Sequence, residues 1–150
     1  LRLRKESVVI DAYAGVGTLA ILLAKHAHKV IAIEESASAI KDAVSNAHGV
    51  DKVEFVQAKT EDALGKIGVR PDALILDPPR AGCHPRTLEA LKRLAPRRVV
   101  YVSCDPTSLA RDLKQLCPEP YHLEEVQPID MFPQTHHIEA VATLSLATEV

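Results

Sequence analysis

The stretch SVVIDAYAGVGTLAILLAKH, residues Ser7–His26, contains the pattern that decides the fold. It opens with a β-branched, apolar run, Ser7–Asp11, which is typical of a buried strand. A glycine-containing turn follows, and leucines at helical spacing then predict a helix over Val16–His26. A strand, a tight turn and a helix in this order form the first unit of an α/β fold.

The same alternation continues along the chain and predicts a mostly parallel sheet covered by helices on both faces. The last two strand-like runs have no helix between them, which predicts a hairpin and therefore an antiparallel strand. The other strands are predicted at Val30–Glu34, Val53–Val56, Ala73–Asp77, Arg98–Ser103, His122–Gln127 and His137–Ser145, and the other helices at Ser36–Ala47, Pro85–Leu94 and Thr107–Leu116.

Composition narrows the class of protein. The 150 residues are 47% hydrophobic and 25% charged, as expected of one domain with its own core. The net charge of −2 is unlike the basic surface of a stand-alone nucleic-acid-binding protein. No apolar run is long enough to span a membrane. Three widely spaced cysteines form neither a disulfide framework nor a CxxC metal pair, so a cytoplasmic location and no metal are expected.

The first strand and the second strand both end in residues that suit a nucleotide-type cofactor. Gly15 and Gly17 permit a tight turn and a close approach of ligand to backbone, and Asp11 and Tyr13 lie beside it. Glu34 ends the second strand, where a carboxylate can accept both ribose hydroxyls. The third glycine of the dinucleotide motif is missing, which favours S-adenosylmethionine over NAD. A plain strand-to-helix turn without a ligand is the alternative.

The fourth and fifth predicted strands end in groups that suit chemistry. Asp77 is followed by Pro78 and Pro79, which fix the backbone and leave carbonyls free to pose a planar substrate; a rigid surface turn is the alternative. Arg80 stands where many amino-group methyltransferases have an aromatic residue. Cys104 lies between a strand end and a helix start, and both a buried core cysteine and an activated thiol fit that position.

The segment before the last strand is rich in titratable side chains. It carries Asp130 and the adjacent His136 and His137, whose spacing does not suit a metal site. Glu139 stands at the start of an otherwise apolar strand, where a general base and a residue at the rim of the sheet are both consistent with the pattern.

Three motifs together carry a family resemblance: DPPRAG (Asp77–Gly82), YVSCDPTSLARDL (Tyr101–Leu113) and IDMFPQTHHIE (Ile129–Glu139). From about Val8 to Leu146, the chain resembles the catalytic domain of the S-adenosylmethionine-dependent RNA uracil-5 methyltransferases. The resemblance implies a Rossmann-like class I methyltransferase fold, S-adenosyl-L-methionine as cofactor, and a tRNA or rRNA substrate. Because the chain opens on a strand without methionine, residues 1–150 are interpreted as a catalytic domain whose N-terminal RNA-binding region lies outside them.

The resemblance also implies roles for individual residues. It makes Cys104 the nucleophile and Glu139 the general base, and it places cofactor contacts on the glycine turn and on strand ends, namely Tyr13, Gly15, Gly17, Thr18, Glu34 and Asp77. Phe132 and Arg80 are candidates to pack on the target base. The chain departs from the family at Asp105, where many members have Asn, and at Lys59, where methyltransferases often have an acidic or amide residue that meets adenine.

The function expected from these residues is methyl transfer to C5 of a uridine in RNA through a covalent cysteine adduct at C6. One alternative is an amino-group methyltransferase that uses the Asp-Pro-Pro motif and needs no cysteine. Another is a cofactor-binding or assembly module without turnover as an isolated domain.

Overall fold

The computed structural model describes residues 2–117, 119–131, 133–135 and 138–147. These residues contain the following strands: β1 (Val8–Ala12), β2 (Lys29–Glu34), β3 (Val53–Gln57), β4 (Ala73–Leu76), β5 (Arg98–Ser103), β6 (Tyr121–Ile129) and β7 (Glu139–Leu146). The helices are α1 (Thr18–Ala24), α2 (Ala37–Asn46), α3 (Thr60–Ala63), α4 (Pro85–Leu94) and α5 (Pro106–Leu116), with a 3-10 turn at Leu64–Lys66.

The strands form one mixed sheet in the order β3-β2-β1-β4-β5-β7-β6. Strands β1 to β5 are mutually parallel, whereas β7 is antiparallel both to β5 and to β6. The predicted fold, mostly parallel with an antiparallel C-terminal hairpin, is therefore confirmed. The last strand inserts between β5 and β6, so β6 forms the edge of the sheet and is exposed beyond its first residue, Tyr121.

Alternate side chains of the parallel strands face two different hydrophobic layers. Val9 belongs to a layer of small residues that lies under α1 and includes Ala20 and Ala24. Ile10, its neighbour in the strand, belongs to a larger layer built on leucines of α4 and α5. The small residues let α1 lie close to the sheet, which places its N-terminal turn directly above the end of β1.

Helix α1 begins later than predicted because the glycine turn occupies residues that the leucine spacing had included. Gly15 and Gly17 have φ angles of +54° and +82°, which are outside the right-handed helical region. Gly17 is the N-cap, and the helix starts at Thr18. A Cβ on Gly17 would lie 3.2 Å from both the Ala43 Cβ and the Phe55 ring, so the turn fits tightly against α2 and β3.

The remaining differences from the predicted elements concern short or terminal segments. Helix α3 has only four residues and the 3-10 turn three, too few to produce a helical period in the sequence. Strand β7 begins at Glu139, while His137, the predicted start, and His136 before it lie outside the described residues. Within the described ranges no helix is long and apolar enough to cross a membrane.

Replacing Gly17 by alanine should destabilise the protein more than replacing Gly15. Both positions have positive φ, so each substitution carries a backbone cost of about 1–2 kcal/mol. Only Gly17 is also crowded, since nothing lies within 4 Å of a Cβ on Gly15. Urea unfolding of Gly17→Ala and Gly15→Ala measures the difference, and equal losses of unfolding free energy would contradict the tight packing of this turn.

Candidate active site

The functional edge of the sheet is the one at which the parallel strands end. Because β7 runs antiparallel, its first residue, Glu139, lies at the same edge as the last residue of β5, Ser103. Ser103 pairs with Ala140 across the two strands. Cys104 follows the last residue of β5 and Glu139 precedes Ala140, so the predicted nucleophile and the predicted base are the next residues of the two paired strands at this edge.

The turn that carries Cys104 is held by hydrogen bonds on both sides of it. The Asp105 N–H donates to Ser103 Oγ (3.1 Å), and Ser103 Oγ donates to the Asp105 carbonyl (2.9 Å). Asp105 is also the N-cap of α5, since its carboxylate accepts the Ser108 N–H at 2.7 Å. Hydrogen bonds from the backbone and the side chain of Ser108 lower the pKa of Asp105. Cys104 itself is half-buried and lies just before the positive end of α5.

Glu34 connects the glycine turn to the end of β2. Its Oε2 accepts the Gly15 N–H at 3.0 Å, and its Oε1 accepts the Ser36 N–H at 2.8 Å. Each carboxylate oxygen has a second lone pair, so both remain able to accept a hydroxyl hydrogen bond. Glu34 can therefore hold the turn and bind a ribose with the same two oxygens.

Asp11, in the middle of the site, is buried without partners. Its side chain is 1% exposed, and neither carboxylate oxygen has a hydrogen-bond partner. Burial, with a smaller contribution from the charge of Asp77, raises the pKa of Asp11 to about 7, although the nearby Ala20 amide opposes the shift. A buried carboxylate without a partner is costly, and a cationic or hydrogen-bond-donating ligand would relieve that cost.

A cleft of about 410 Å³ opens along this edge, and Tyr13, Glu34, Lys59, Asp77, Pro78 and Pro79 are among the residues that line it. Burial raises the pKa of Tyr13, so its hydroxyl stays protonated; it lies 3.4 Å from Thr87 Oγ1. The cleft size and the acceptors of Glu34 fit the nucleoside of S-adenosylmethionine, and the carboxylates of Asp77 and of the buried Asp11 near it favour a cationic group there.

Asp77 connects the cleft to the reactive pair. Its side chain reaches solvent, yet partial loss of water and the negative charge of Glu139 both raise its pKa. Asp77 is therefore close enough to both Asp11 and Glu139 for their charges to repel it. Such a concentration of negative charge at the end of a sheet attracts a positively charged group.

The other described residues that the sequence singled out lie in different parts of the structure. Thr18 is exposed at the start of α1, and its cofactor contact stays a prediction. Lys59 lies in the cleft wall, where a carboxylate or amide would usually meet adenine. Cys83 is 5% exposed and burial raises its pKa to about 12, in agreement with a structural role. Phe132 lies outside the described residues. Among the described residues, no group of three His, Cys, Asp or Glu could hold a metal.

Comparison with known families agrees with the geometry of this edge. The model of the tRNA (uracil-5-)-methyltransferase family matches residues 3–146. The chain belongs to this family. The match covers both the cofactor-sized cleft and the turn that carries the cysteine.

Relatives of the family extend well beyond this chain. An RNA methyltransferase of Oceanobacillus iheyensis is 46% identical over 147 residues, which are 95% of this chain and 32% of that protein. An RNA methyltransferase of Gloeobacter violaceus is 47% identical over 93% of this chain and 30% of that protein. The chain thus spans about a third of the length of these relatives.

Solved structures show the same fold. The tRNA (uracil-54, C5)-methyltransferase of Pyrococcus abyssi, in complex with S-adenosyl-L-homocysteine, superposes with a TM-score of 0.80 and is 39% identical. That similarity covers 95% of this chain and 35% of the Pyrococcus chain. An rRNA methylase of Streptococcus thermophilus has a TM-score of 0.79 at 19% identity, which shows the fold alone.

Asp11 stands out in the sequence beside the glycine turn, but the family resemblance gives it no role in the site. Its signal was present, since an aspartate in the apolar run VVIDA must be buried and needs a reason to be there. Only the structure shows that this buried carboxylate makes no well-formed hydrogen bond within the described residues.

Because the folded protein binds the Asp11 proton more tightly than the unfolded chain, Asp11 stabilises the fold least at high pH. Its pKa rises from 3.8 to about 7 on folding, so its contribution falls as the pH rises from about 4 to about 7. The loss is on the order of 4 kcal/mol. Between about pH 4 and about pH 7, the unfolding free energy of Asp11→Asn should therefore rise relative to that of the parent protein.

Chemical unfolding of the ligand-free protein at a series of pH values measures that difference. Asp51→Asn, at an exposed position, is the matched control and should show a constant difference. A constant difference for Asp11→Asn as well would contradict the raised pKa of the buried carboxyl.

The departure from the family at position 105 should have little effect on stability. Asp and Asn are both good N-cap residues, so Asp105→Asn should change the unfolding free energy by only a few tenths of a kcal/mol, whereas Asp105→Ala should cost about 1 kcal/mol. Thermal or urea unfolding of both variants tests this. Equal losses in the two variants would mean that the charge, rather than the cap to Ser108, stabilises the turn.

Proposed function

We propose that this chain transfers a methyl group from S-adenosyl-L-methionine to C5 of a uridine in tRNA or rRNA, through a covalent adduct between Cys104 and C6. The observation that carries the proposal is the register of β5 and β7, in which Ser103 pairs with Ala140, so that Cys104 and Glu139 are the next residues at this edge. Membership of the tRNA (uracil-5-)-methyltransferase family supports the same reaction. The Pyrococcus abyssi relative is named for C5 of tRNA uracil-54 and holds S-adenosyl-L-homocysteine.

S-adenosylmethionine supplies an electrophilic methyl group on a sulfonium when it is bound. In this cleft Glu34 would accept hydrogen bonds from the ribose hydroxyls. The carboxylate of Asp11 would be the counter-charge for the cationic amino-acid part, because it has no other partner. Tyr13 and Asp77 line the cleft and would contact the rest of the molecule.

Cys104 would activate the target base. Uracil C5 is a weak nucleophile until a thiolate adds to C6, which moves electron density onto C5. The sulfur of Cys104 is half-exposed at the strand end, just before the first turn of α5, where a base could reach it. A site that holds C5 close to the methyl donor makes the methyl transfer effectively unimolecular, so it no longer depends on a bimolecular encounter.

Glu139 would complete the reaction by removing a proton. After C5 has gained the methyl group, it still carries its original hydrogen, and a carboxylate must accept that proton. The C5–C6 double bond then re-forms and the Cys104–C6 bond breaks, which returns the thiolate. The position of Glu139 supports this role, because it is the first residue of β7 and precedes Ala140, the partner of Ser103.

The RNA must reach the site with its target base out of the stack, as in other enzymes that modify bases. This chain has a net charge of −2 and 3% aromatic residues, so it offers little for phosphate binding or base stacking. We therefore propose that much of the affinity for RNA comes from regions outside this chain. Relatives are about three times as long, which leaves room for such regions.

Cys104→Ala in the full-length protein should reduce methylation below roughly one thousandth of the parent rate, because the nucleophile is lost. Glu139→Gln should slow turnover by about 10²–10⁴-fold and let the Cys104–RNA adduct accumulate, because the C5 proton is retained. Incorporation of labelled methyl groups into RNA measures the loss of methylation. Denaturing gels measure how much Cys104–RNA adduct accumulates.

Cys117→Ala is the matched control, since this half-buried cysteine lies at the other end of α5 and should be dispensable. Mass spectrometry of the product should identify 5-methyluridine. An N-methylated base, together with an active Cys104→Ala, would instead favour an amino-group methyltransferase that uses Asp77, Pro78 and Pro79. Cofactor binding without any turnover would favour a binding module.

A further inference from the structure

The most completely hydrogen-bonded carboxylate among the described residues is not in the cleft. Asp112 is 0% exposed on the inner face of α5. Its Oδ2 accepts the Cys83 N–H at 2.7 Å and the Tyr101 hydroxyl at 2.6 Å. Its Oδ1 accepts two hydrogen bonds from the Arg111 guanidinium, at 2.9 and 2.8 Å. No step proposed above uses this carboxylate.

The partners of Asp112 come from three segments that surround the reactive groups. Cys83 ends the loop that begins with Asp77 and the two prolines. Tyr101 lies in β5, three residues before Cys104. Asp112 itself belongs to α5, the helix that follows Cys104. One buried carboxylate therefore connects the Asp77 loop to both elements that flank the cysteine.

Arg111 adds a second connection to the same loop. Its guanidinium donates to the Ala81 carbonyl at 2.7 Å while it pairs with Asp112. Gly82, between the two attachment points, has a φ of +80°, and a Cβ there would lie 2.7 Å from the Asp112 carboxylate. The loop thus approaches α5 so closely that only glycine fits, which fixes its distance from the helix.

We propose that Asp112 is a positioning residue that sets the placement of the Asp77 loop relative to Cys104. The inference rests on the proposed covalent mechanism, because it assumes that Cys104 is the nucleophile. Asp112 acts through Cys83, Arg111 and Tyr101 and touches neither cofactor nor base. Its charge is needed because four donors converge on it, and burial of a polar group with all its partners gives a rigid arrangement.

Loss of this carboxylate should lower the rate of the chemical steps more than it lowers the affinity for RNA or cofactor. An amide at position 112 carries a donor where the carboxylate has an acceptor, so at least one of the four donors loses its partner. The loop could then shift relative to the cysteine. A displacement of about 1 Å between reacting groups is enough to slow a reaction by up to about 10²-fold.

The test uses the full-length protein, S-adenosylmethionine, and tRNA and rRNA transcripts that contain 5-fluorouridine. Fluorine at C5 cannot leave as a proton does, so the Cys104–C6 adduct persists and its rate of formation can be measured in a single turnover. Asp112→Asn should form the adduct about 10-fold more slowly or worse, with dissociation constants for RNA and cofactor within about twofold. Tyr101→Phe, which loses one donor only, should show a smaller slowing in the same direction.

Leu116→Ala is the matched control for stability. Leu116 is fully buried in the same helix and has no part in the Asp112 hydrogen bonds, so this variant should melt at a lower temperature but form the adduct at the parent rate. Should Asp112→Asn fail to fold, the rate of Tyr101→Phe decides the question.

Two negative results are distinguishable. The positioning role alone would be overturned if Asp112→Asn and Tyr101→Phe both formed the adduct at the parent rate. It would also be overturned if their adduct formation were slowed only as much as that of Leu116→Ala. Absence of an adduct in the parent protein would overturn the covalent mechanism, and the positioning role with it.

Discussion

Mutual repulsion of carboxylates at the carboxyl edge of the sheet is the constraint on which the site depends. Asp11 and Asp77 both have raised pKa values, and each owes part of the shift to another acid of this edge. The fold holds these groups together although they repel, because each belongs to the end of a different strand in a well-packed sheet. An edge of this kind has little use in a ligand-free protein, whereas a sulfonium and an ammonium would neutralise it.

Carboxylates also serve this fold as acceptors for backbone N–H groups at its turns. Glu34 accepts from Gly15, Asp105 accepts from Ser108, and Asp112 accepts from Cys83. Each contact fixes a loop that lies beside the site, and only Glu34 of the three also lines the cleft. Charge-assisted hydrogen bonds of this type are stronger than neutral ones, so the loops are held in place before any ligand binds.

The sequence was sufficient to predict the mostly parallel sheet and the candidate residues at its carboxyl edge, because the local patterns are strong. Apolar runs that end in Asp11, Glu34 and Asp77 predict strands whose polar ends meet at one edge. The register of β5 with β7 could not be read in this way. Helix α5 and strand β6 separate the two strands along the chain, so no turn length relates Ser103 to its partner Ala140.

Contacts that depend on three-dimensional proximity were likewise beyond the sequence. Asp112 sits in the motif LARDL, where a charged pair on a helix is usually taken to face solvent. Its burial depends on a glycine thirty residues earlier, at position 82, which has no periodic relation to it. Asp11 was visible as an unusual residue, but its lack of a partner is a property of the whole fold.

The position of β7 inside the sheet has a consequence for the order in which the protein acquires its parts. Strand β6 touches the sheet only through β7, so it has no place to pair until the last strand arrives. During synthesis from the N-terminus, the glycine turn, Glu34 and Cys104 all emerge before Glu139. The chain therefore completes its cofactor half first, and Glu139 joins the edge that carries Cys104 only when the final hairpin closes as a unit against β5.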